Sequence, residues 1–272
     1  IGAGISGMSL AAFQEEGTDL VVFEASEGVG GLTGGTFQEG VVQQWGANGF
    51  LDNEPAMDLL LKRLPVDTTP AEPGNRYILK NQRPVALPAK PPGIFASPLL
   101  SWSAKFRLLF EPFRSTKTQE QSVAEFLRHR IGREAAERFG DPMVSGVWAG
   151  DPEELSMQAA FPRLAEAVAT HGSLFKALRA SQKNRSQIPT LQSFPGGMGE
   201  LTQAIQKTLG DRVRLNEPAQ IIQPTENGWR IETTKGSYEA NNLVLALGAS
   251  ATALLLKDLL PTTSAIIQSI PQ

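Results

Sequence analysis

Cysteine is absent from this sequence of 272 residues, and that absence excludes several kinds of chemistry together. Without thiols there is no disulfide framework, no CxxC redox pair, no cysteine-based zinc site and no thiolate nucleophile. Histidine is scarce as well, with two residues. Any redox chemistry of this chain must therefore come from a bound cofactor.

A surplus of positive charge and a long apolar run are also missing. The formal net charge is −3 and the sequence pI is about 5.6, so a broad nucleic-acid-binding surface is not expected. The longest apolar run, Leu243 to Leu256, has 14 positions and contains Gly248, Ser250 and Thr252. A membrane-spanning helix needs roughly 20 apolar residues, so we predict no membrane span and no nucleic-acid partner.

Glycine is abundant, with 26 residues, and its most informative arrangement is Gly2, Gly4 and Gly7 in the pattern GxGxxG. In a dinucleotide-binding turn the first glycine permits the tight turn, the second lets the backbone approach a pyrophosphate, and the third allows close packing of helix on strand. Glu24 follows 17 positions after Gly7, at the end of the predicted strand 19–24. An acid there accepts hydrogen bonds from ribose hydroxyls. The pattern favours a nucleotide site, and a tight turn with a solvated glutamate is the alternative.

The whole sequence is 41% hydrophobic. Its pattern predicts an α/β fold that is interrupted by a mainly helical insertion. Strand and helix periodicities alternate at both ends of the chain, whereas the middle is mostly helical in pattern. The predicted elements are a short helix closed by Gly17 after the glycine turn, a helix capped by Asn53, a hairpin at 75–88, helices at 121–131 and 152–160, a helix at 199–209, a strand near Val213, a hairpin at 219–238 and a buried strand at 242–247.

Three segments make the nucleotide site more specific. The stretch from Glu24 to Gly31 resembles the one that follows the second strand in flavoproteins of the amine-oxidase type, which favours FAD over NAD. Residues 45–50 resemble that family's loop beside the flavin ring, and residues 218–222 resemble the segment whose backbone contacts adenine. The sequence departs from the family pattern at three positions: Gly28 where arginine is usual, Ala47 where proline is common, and Ala219 where valine is usual.

A longer stretch narrows the family. Residues 144–164, VSGVWAGDPEELSMQAAFPRL, closely resemble a run of FAD-dependent, oxygen-using protoporphyrinogen oxidases. Locally, Asp151 with Pro152 and Glu154 predicts a capped helix start, but capping does not explain the flanking residues. The motifs at 75–77, 87–88, 194–198 and 243–256 fall in the family's order. The resemblance implies an α/β fold with a Rossmann-type FAD-binding domain, a mainly helical insertion and part of a mixed-sheet substrate domain.

The resemblance also implies the chemistry. A porphyrinogen, protoporphyrinogen IX or coproporphyrinogen III, is oxidised to the porphyrin in haem or chlorophyll synthesis, with FAD as hydride acceptor and O2 as terminal oxidant. Arg76 is the candidate anchor for a propionate of the substrate, because the planar guanidinium suits a carboxylate; a hairpin arginine in solvent is the alternative. No catalytic base and no metal-ligand cluster is identified.

The residues that the resemblance assigns to the cofactor combine the glycine loop, the segment after the second strand, the flavin-ring loop and one adenine contact. The glycines and Glu24 are supported by their spacing as well. The predicted cofactor-binding residues are Gly2, Ala3, Gly4, Ile5, Ser6, Gly7, Glu24, Ala25, Gly30, Gly31, Leu32, Gly46, Ala47, Asn48, Gly49 and Ala219.

The predicted domain organisation has five segments. These are the first part of the FAD-binding domain at 1–64, a substrate-domain hairpin at 65–89, a helical domain at 90–190, the second part of the FAD-binding domain at 191–248, and the start of the return to the substrate domain at 249–272. A central parallel strand has about 5 residues, yet only Ile1 precedes Gly2. We therefore expect an incomplete member of the family, without the start of the first strand and the C-terminal part.

One segment suggests a further partner. Residues 90–118 carry Lys90, Lys105, Arg107, Arg114 and Lys117 among several aromatic residues. A basic, aromatic helix is typical of a membrane interface, and an ordinary helix packed on its own domain is the alternative. A homodimer is left open. A bacterial member of the family is expected in the cytoplasm or on the cytoplasmic face of the membrane, and a eukaryotic one in an organelle.

Two other functions remain open at this point. One is a different amine-oxidase-type flavoprotein, such as a carotenoid desaturase or an amine oxidase. The other is a polypeptide that keeps the fold without catalysis.

Overall fold

A computed structural model describes residues 1–72, 74, 76–88, 91–115, 120–183 and 189–270, without the side chains of residues 91, 92, 182 and 183. The chain divides into two compact units. Unit 1 contains Ile1–Glu72 and Pro189–Gln272, and unit 2 contains Pro73–Ile188. The finer five-segment organisation stays a prediction. Asn75, Lys90, Lys117 and the last two residues, which the sequence arguments used, lie outside the described residues.

The helices, numbered in chain order, are distributed over both units. In unit 1 they are α1 (Ile5–Ala12), α2 (Pro55–Leu61), α11 (Gly199–Leu209), α12 (Ala249–Leu256) and α13 (Pro261–Gln268). In unit 2 they are α3 (Pro91–Ala96), α4 (Trp102–Leu109), α5 (Val123–Ile131), α6 (Arg133–Ala135), α7 (Asp141–Trp148), α8 (Met157–Ala160), α9 (Pro162–His171) and α10 (Leu174–Lys183), with a π-helical turn at Ala136–Gly140 and a 3₁₀ turn at Glu111–Phe113.

The strands are short and form small sheets. In unit 1, β1 (Val22–Phe23) pairs in parallel with β9 (Val213–Arg214). The other strands of unit 1 are β2 (Gly35–Gln38), β3 (Val41–Gln44), β4 (Phe50–Leu51), β5 (Thr69–Pro70), β8 (Leu191–Ser193), β10 (Ala219–Thr225), β11 (Gly228–Thr233) and β12 (Ser237–Ala240), and unit 2 contains β6 (Tyr77–Lys80) and β7 (Arg83–Ala86). Within the described residues the other named strands pair antiparallel: β2–β3, β4–β8–β5, β6–β7 and β10–β11–β12.

Unit 1 has its main core between α1, α11 and the parallel strand pair. Met8, Leu201 and Ile205 have no exposed surface, and Val22 and Val213 complete the contact from β1 and β9. Side chains four residues apart on a helix, such as Leu201 and Ile205, lie on the same face, and this face is buried. The packing fixes the start of α1 against the end of β1, which is where the glycine loop and Glu24 lie.

Unit 2 is a helical core built around α5. Its most buried apolar side chains include Val123, Val144, Met157 and Val168, each at most 1% exposed. Helix α5 begins with a capping box, since the Ser122 hydroxyl accepts from the Glu125 N–H and the Glu125 carboxylate accepts from the Ser122 N–H. Such reciprocal bonds satisfy two donors that a helix start leaves free.

Several predicted elements are confirmed. The helices predicted at 121–131 and 199–209 are α5 and α11, and the hairpin predicted at 75–88 is β6–β7. Its turn residues Asn81 and Gln82 have φ of 51° and 61°, as a two-residue hairpin turn requires. The strand near Val213 is β9, and the hairpin at 219–238 extends to a three-stranded meander.

The helix predicted at 152–160 is wrong in its first half. Helix α8 covers Met157–Ala160 only, and its N-cap is Ser156, whose hydroxyl accepts from the Ala159 N–H. The Asp151 carboxylate instead accepts from the Glu153 N–H in a turn. The reason is tertiary: Ser156 is extended and forms an antiparallel bridge with Ser122, so no helix runs through this position.

The two buried strands of the prediction are also shorter or missing. The strand predicted at 19–24 is reduced to Val22–Phe23, and Val21 is 36% exposed. No strand is assigned at 242–247. The Ile1 amino group donates to the Val244 carbonyl at 2.7 Å, and the Ala246 N–H donates to the Ile1 carbonyl at 2.8 Å. These two bonds pair the segment with Ile1 alone. A strand needs consecutive partners.

Two helix ends also differ from the prediction. Helix α2 begins after Glu54, not after Asn53, and Glu54 makes no side-chain cap. Helix α1 ends at Ala12 with Phe13 as its C-cap, whereas Gly17 was predicted to close it. Helix boundaries of this kind depend on which backbone carbonyls find donors, and they are weakly specified by local sequence.

Ala149 is expected to be a site where glycine stabilises unit 2. It ends α7 in the left-handed region at φ 50° and ψ 22°, and its side chain is exposed. Because a Cβ is unfavourable there, Ala149→Gly should raise the free energy of unfolding by about 1 kcal/mol, measured by denaturant titration. Gly172, the left-handed C-cap of α9 with open space around it, gives the opposite control. Gly172→Ala should cost about as much; equal stabilities for all three chains would contradict the prediction.

Candidate functional site

The predicted glycine loop forms the turn between the start of the chain and α1. Gly2 has φ 102°, and a Cβ there would lie 2.5 Å from the Ala246 carbonyl oxygen. A Cβ on Gly7 would overlap the carbonyl oxygen of Gly2. These two glycines are therefore required by the fold itself, the first by its backbone conformation and both by close packing.

Gly4 is different from the other two. It is the N-cap of α1 in an extended conformation that any residue adopts, and a Cβ there would meet no protein atom within 4 Å. Gly4 makes no side-chain cap and the first turn of α1 contains no acidic residue. The first N–H groups of a helix have no intrahelical partner and attract anions. The space over Gly4 is thus suited to a phosphate group.

Glu24 is tied into the glycine loop. Its Oε2 accepts from the Ala3 N–H at 2.7 Å, and its Oε1 accepts from the N–H and the hydroxyl of Ser26 at 2.9 and 2.7 Å. A carboxylate has about four acceptor positions, so one position on Oε2 is left after these bonds. The carboxylate is held rigidly and keeps one acceptor for a ligand hydroxyl. Ala25 follows it with an exposed side chain.

The segment after Glu24 returns to the glycine loop. The Gly30 N–H donates to the Ala3 carbonyl at 2.8 Å, and Gly4 and Gly30 form a parallel bridge. Gly31 has φ 51°, and a Cβ on it would lie 3.4 Å from the Gly4 Cα. Leu32 is 80% exposed. The predicted residues Gly30 and Gly31 therefore lie directly beside the space over Gly4.

The predicted flavin-ring loop lies next to this segment. The Trp45 N–H donates to the Gly34 carbonyl at 3.0 Å, and a Cβ on Gly46 would lie 2.6 Å from the Leu32 carbonyl oxygen. Residues 46–48 are exposed. A Cβ on Gly49 would overlap the Gln192 carbonyl oxygen, so Gly49 allows β4 to pair closely with β8.

Ala219 lies two residues after Glu217, and the backbone of Glu217 is hydrogen-bonded to Glu24. The Glu217 N–H donates to the Glu24 carbonyl at 2.8 Å. The Glu217 side chain is 3% exposed, and its carboxylate accepts from the hydroxyls of Thr233 and Tyr238, both at 2.7 Å. Burial acts to raise the pKa of Glu217, but these two hydrogen bonds and the positive charges of Lys235 and Arg214 together outweigh burial, and the pKa lies below its ordinary value.

The sequence did not predict two residues that shape this site. Ser26 holds the Glu24 carboxylate, and Glu217 holds the backbone after Glu24. Serine two residues after an acid at a strand end is a weak sign of such a turn. Glu217 offers no sign at all, because glutamate is normally exposed. The structure brings together the predicted residues of the glycine loop, Glu24, the segment after it and the flavin-ring loop.

Arg76 belongs to unit 2 and has an exposed side chain. Its carbonyl accepts from the Leu87 N–H at 2.7 Å and closes the β6–β7 hairpin. The structure thus places Arg76 at the hairpin base that the sequence predicted, and its role toward a substrate stays a prediction.

The basic, aromatic segment also belongs to unit 2. Its described part contains α3, α4 and the 3₁₀ turn, and the side chains of Phe95, Trp102, Phe106, Phe110 and Phe113 are 38–85% exposed. Lys105, in contrast, is 6% exposed and its ammonium lies 4.6 Å from the centre of the Trp102 ring. Among the described residues, no helix is long and apolar enough to span a membrane.

A cavity of about 710 Å³ lies on the other side of the glycine loop. It is lined by residues 18–23, which contain β1, by residues 239–244, and by Gly2 and Gly7. Gly4, Ser6 and Glu24 are not in its lining. The cavity is therefore distinct from the space over Gly4.

The residues of this site fit the adenosine and pyrophosphate half of FAD. The uncapped start of α1, with Gly4, Ile5 and Ser6, suits a pyrophosphate. The remaining acceptor on Glu24 suits a ribose hydroxyl. Gly28 is exposed and a Cβ on it would meet no described protein atom within 4 Å, so this position does not carry the cation of the family pattern.

Comparison with curated proteins finds related porphyrinogen oxidases. The chain is 33% identical over 244 residues to protoporphyrinogen oxidase 2, chloroplastic/mitochondrial, of Arabidopsis thaliana, covering 79% of this chain and 48% of that protein. It is 25% identical over 292 residues to coproporphyrinogen III oxidase of Bacillus subtilis (strain 168), covering 95% of this chain and 61% of that protein. The chain spans about half the length of the curated relatives it matches. These relatives confirm the resemblance that the sequence showed.

Comparison with solved structures finds the same fold. The structure described as "Putative protoporphyrinogen oxidase" from Exiguobacterium sp. 255-15 superposes with a TM-score of 0.79 at 20% identity, covering 94% of this chain and 60% of that one. Cyclohexylamine oxidase from Brevibacterium oxydans IH-35A superposes with a TM-score of 0.68 at 21% identity, covering 98% and 61%. At these identities the likeness shows the fold, and the predicted α/β fold class is confirmed.

A family model described as flavin containing amine oxidoreductase matches residues 5–272. That description agrees with the fit of the site, and the prediction of FAD as cofactor is confirmed at the level of the family. The chain belongs to the flavin-containing amine oxidoreductase family.

Proposed function

We propose that this protein is an FAD-dependent oxidoreductase that oxidises a porphyrinogen, protoporphyrinogen IX or coproporphyrinogen III, to the porphyrin, with O2 as terminal oxidant. The observation that carries the proposal is the uncapped start of α1 with open space over Gly4, in a chain whose curated relatives are named porphyrinogen oxidases. The absence of cysteine supports it, because the redox chemistry then requires a cofactor.

Each part of the proposed site has its own role toward FAD. The N–H groups at the start of α1 hold the pyrophosphate, and Gly30 and Gly31 let the following segment come close to it. Glu24 orients the adenosine ribose, the backbone at Ala219 contacts adenine, and residues 46–49 lie beside the flavin ring. When bound, FAD supplies the acceptor for the hydride equivalents that leave the saturated macrocycle.

Arg76 is the proposed anchor for a propionate of the substrate. Its exposed guanidinium would form a bidentate pair with a carboxylate. In an active enzyme that contains this chain, Arg76→Ala is expected to raise KM while FAD affinity is unchanged. Arg83, an exposed arginine of the same hairpin, serves as the control, and an unchanged KM for Arg76→Ala would overturn the anchor.

The decisive experiment measures flavin reduction under anaerobic conditions. An enzyme that contains this chain, loaded with FAD, is mixed in turn with protoporphyrinogen IX, coproporphyrinogen III, an aliphatic diamine and a carotenoid precursor, and loss of the oxidised-flavin absorbance is followed. Reduction of the flavin by a porphyrinogen is expected. Because one flavin accepts a single electron pair and the porphyrinogen must lose several to become a porphyrin, porphyrin fluorescence is expected only after O2 is admitted to reoxidise the flavin. Reduction by the diamine or carotenoid precursor alone would favour another amine-oxidase-type activity. FAD binding without reduction by any of the four compounds would favour a chain that keeps the fold without catalysis.

Membrane contact through 90–118 is part of the proposal. The five aromatic side chains of its described part are all exposed, as a membrane-interface helix requires. Vesicles of anionic phospholipid should pellet the chain, and Phe106→Glu with Phe110→Glu should release it. Phe37, 74% exposed in unit 1, provides the matched control. Equal pelleting of all variants would contradict membrane contact by this segment.

Gly28→Arg is expected to tighten FAD binding. The position is exposed with room for a side chain, and an arginine there would restore the family's cationic contact near the pyrophosphate. One hydrogen bond between charged groups is worth roughly a tenfold gain in affinity, measured by titration of flavin fluorescence. Gly28→Gln separates charge from bulk: it should leave the affinity unchanged, and an equal gain for both variants would contradict the electrostatic explanation.

A further inference from the structure

Glu217 is a buried carboxylate that none of the predicted roles uses. It is 3% exposed, and burying a charge is costly unless hydrogen bonds compensate. Its Oε1 accepts from the Thr233 hydroxyl of β11 and from the Tyr238 hydroxyl of β12, both at 2.7 Å. The side chain therefore joins two strands of the meander that begins at Ala219.

The backbone at Glu217 is joined to the segment that carries Glu24. The Glu217 N–H donates to the Glu24 carbonyl at 2.8 Å, the Asn216 N–H donates to the Ser26 carbonyl at 3.0 Å, and the Glu24 N–H donates to the Arg214 carbonyl at 2.9 Å. These bonds continue the parallel pairing of β1 with β9. These backbone bonds fix the position of Glu24 relative to Glu217.

An aromatic contact reinforces the same connection. The Tyr238 ring, whose hydroxyl donates to Glu217, packs on the Phe23 ring with 4.7 Å between centroids. Phe23 directly precedes Glu24. Glu217 therefore restrains the end of β1 in two ways. Its backbone N–H bonds to Glu24, and its carboxylate holds Tyr238, which packs on Phe23.

We propose that Glu217 is a positioning residue for the adenosine half of FAD. It holds the end of β1 and the start of β10 in one arrangement, so that the Glu24 carboxylate and the Ala219 backbone meet the same nucleotide. The inference rests on the proposed FAD site but not on the proposed reaction. Pre-organisation of this kind raises affinity because fewer groups are ordered on binding.

ADP, which represents the adenosine and pyrophosphate half of FAD, is the probe for this role. Calorimetric titration of the chain with ADP should give a dissociation constant that Glu217→Ala raises about tenfold, the effect of one lost hydrogen bond to a charged group. Glu217→Gln keeps an oxygen acceptor for Thr233 and Tyr238, and its affinity should stay within about twofold of the unmodified chain.

The control separates positioning from stability. Ser264 is 5% exposed in unit 1 and its hydroxyl donates to the Ala253 carbonyl at 2.6 Å. Ser264→Ala removes a buried hydrogen bond away from residues 24–26 and 214–219, so it should lower the thermal midpoint without changing the affinity for ADP. All titrations are made where circular dichroism shows each variant folded.

Three results would overturn the inference. These are an unchanged ADP affinity in folded Glu217→Ala, equal losses in the alanine and glutamine variants, and no ADP binding by the unmodified chain. Failure of the anaerobic porphyrinogen experiment would overturn the proposed reaction instead, because ADP binding does not depend on turnover.

Discussion

A Gly4→Val chain is expected to keep its fold and lose its affinity for FAD. Gly4 is extended, with φ −70° and ψ 176°, a conformation that valine adopts readily, and a Cβ there meets no protein atom within 4 Å. The fold should lose at most about 1 kcal/mol from a poorer N-cap. The side chain would occupy the space over the first N–H groups of α1, where the pyrophosphate is proposed to bind.

The expected loss of affinity is on the order of a hundredfold or more, because displacing the pyrophosphate removes at least two hydrogen bonds to a charged group. Gly7→Ala provides the contrast. Its Cβ would overlap the Gly2 carbonyl oxygen, so it should lower the free energy of unfolding by about 3 kcal/mol. Thermal melts and flavin titration of both variants check the pair. An unchanged FAD affinity in Gly4→Val would contradict a pyrophosphate at this position.

The contrast between Gly4 and Gly7 shows which part of the site the sequence could predict. The GxGxxG spacing with Glu24 predicts where the turn, the helix start and the acid lie. The turn and the helix start depend on residues close in sequence, and an acid at about this distance is a recurring part of dinucleotide-binding folds. The binding roles of the predicted residues remain predictions, and FAD is confirmed at the level of the family. Glu217 was missed because its burial depends on Thr233 and Tyr238, which lie 16 and 21 positions away.

The same difference between local and distant contacts explains the errors in the fold. The capping box of Ser122 and Glu125 lies within four residues, and α5 was predicted correctly. The turn at 151–155 resembles a helix start locally, but the antiparallel bridge between Ser156 and Ser122 prevents a helix from continuing through it. A strand at 242–247 has the right composition and no ladder of partners in the described residues. Composition predicts which segments are buried, whereas partners decide their backbone conformation.

Glu111→Ala is expected to have the largest effect on the stability of unit 2. The Glu111 carboxylate is fully buried and accepts from the Leu174 N–H at 2.6 Å, the Ser173 hydroxyl at 2.5 Å and the Phe175 N–H at 3.4 Å, so it caps the start of α10. It also pairs with Arg130, which is 1% exposed, at 3.5 Å. Removing one partner of a buried ion pair costs about 3–5 kcal/mol, because the other charge stays buried.

Arg130 determines how a second substitution can restore the stability that Glu111→Ala loses. Its Nη1 also donates to the carbonyls of Gly172 at 2.9 Å and Arg114 at 3.3 Å, so it connects the end of α9 to the 3₁₀ turn that contains Glu111. In Glu111→Ala these bonds remain, but the buried guanidinium loses the Glu111 carboxylate beside it. Replacing both residues by apolar side chains of similar size, Glu111→Leu with Arg130→Met, should recover part of the stability. The recovery would be incomplete, because the α10 start loses its cap.

Hydrogen exchange of peptides from α5 and α10 measures the effect within unit 2, since a chain with two compact units need not unfold in one step. Exchange in both helices should accelerate in Glu111→Ala and slow again in the double variant. Arg133→Ala breaks the exposed pair with Glu137, whose side chains are 84% and 46% exposed, and should cost at most about 0.5 kcal/mol. If Glu111→Ala and Arg133→Ala exchange at equal rates, the buried pair does not stabilise unit 2.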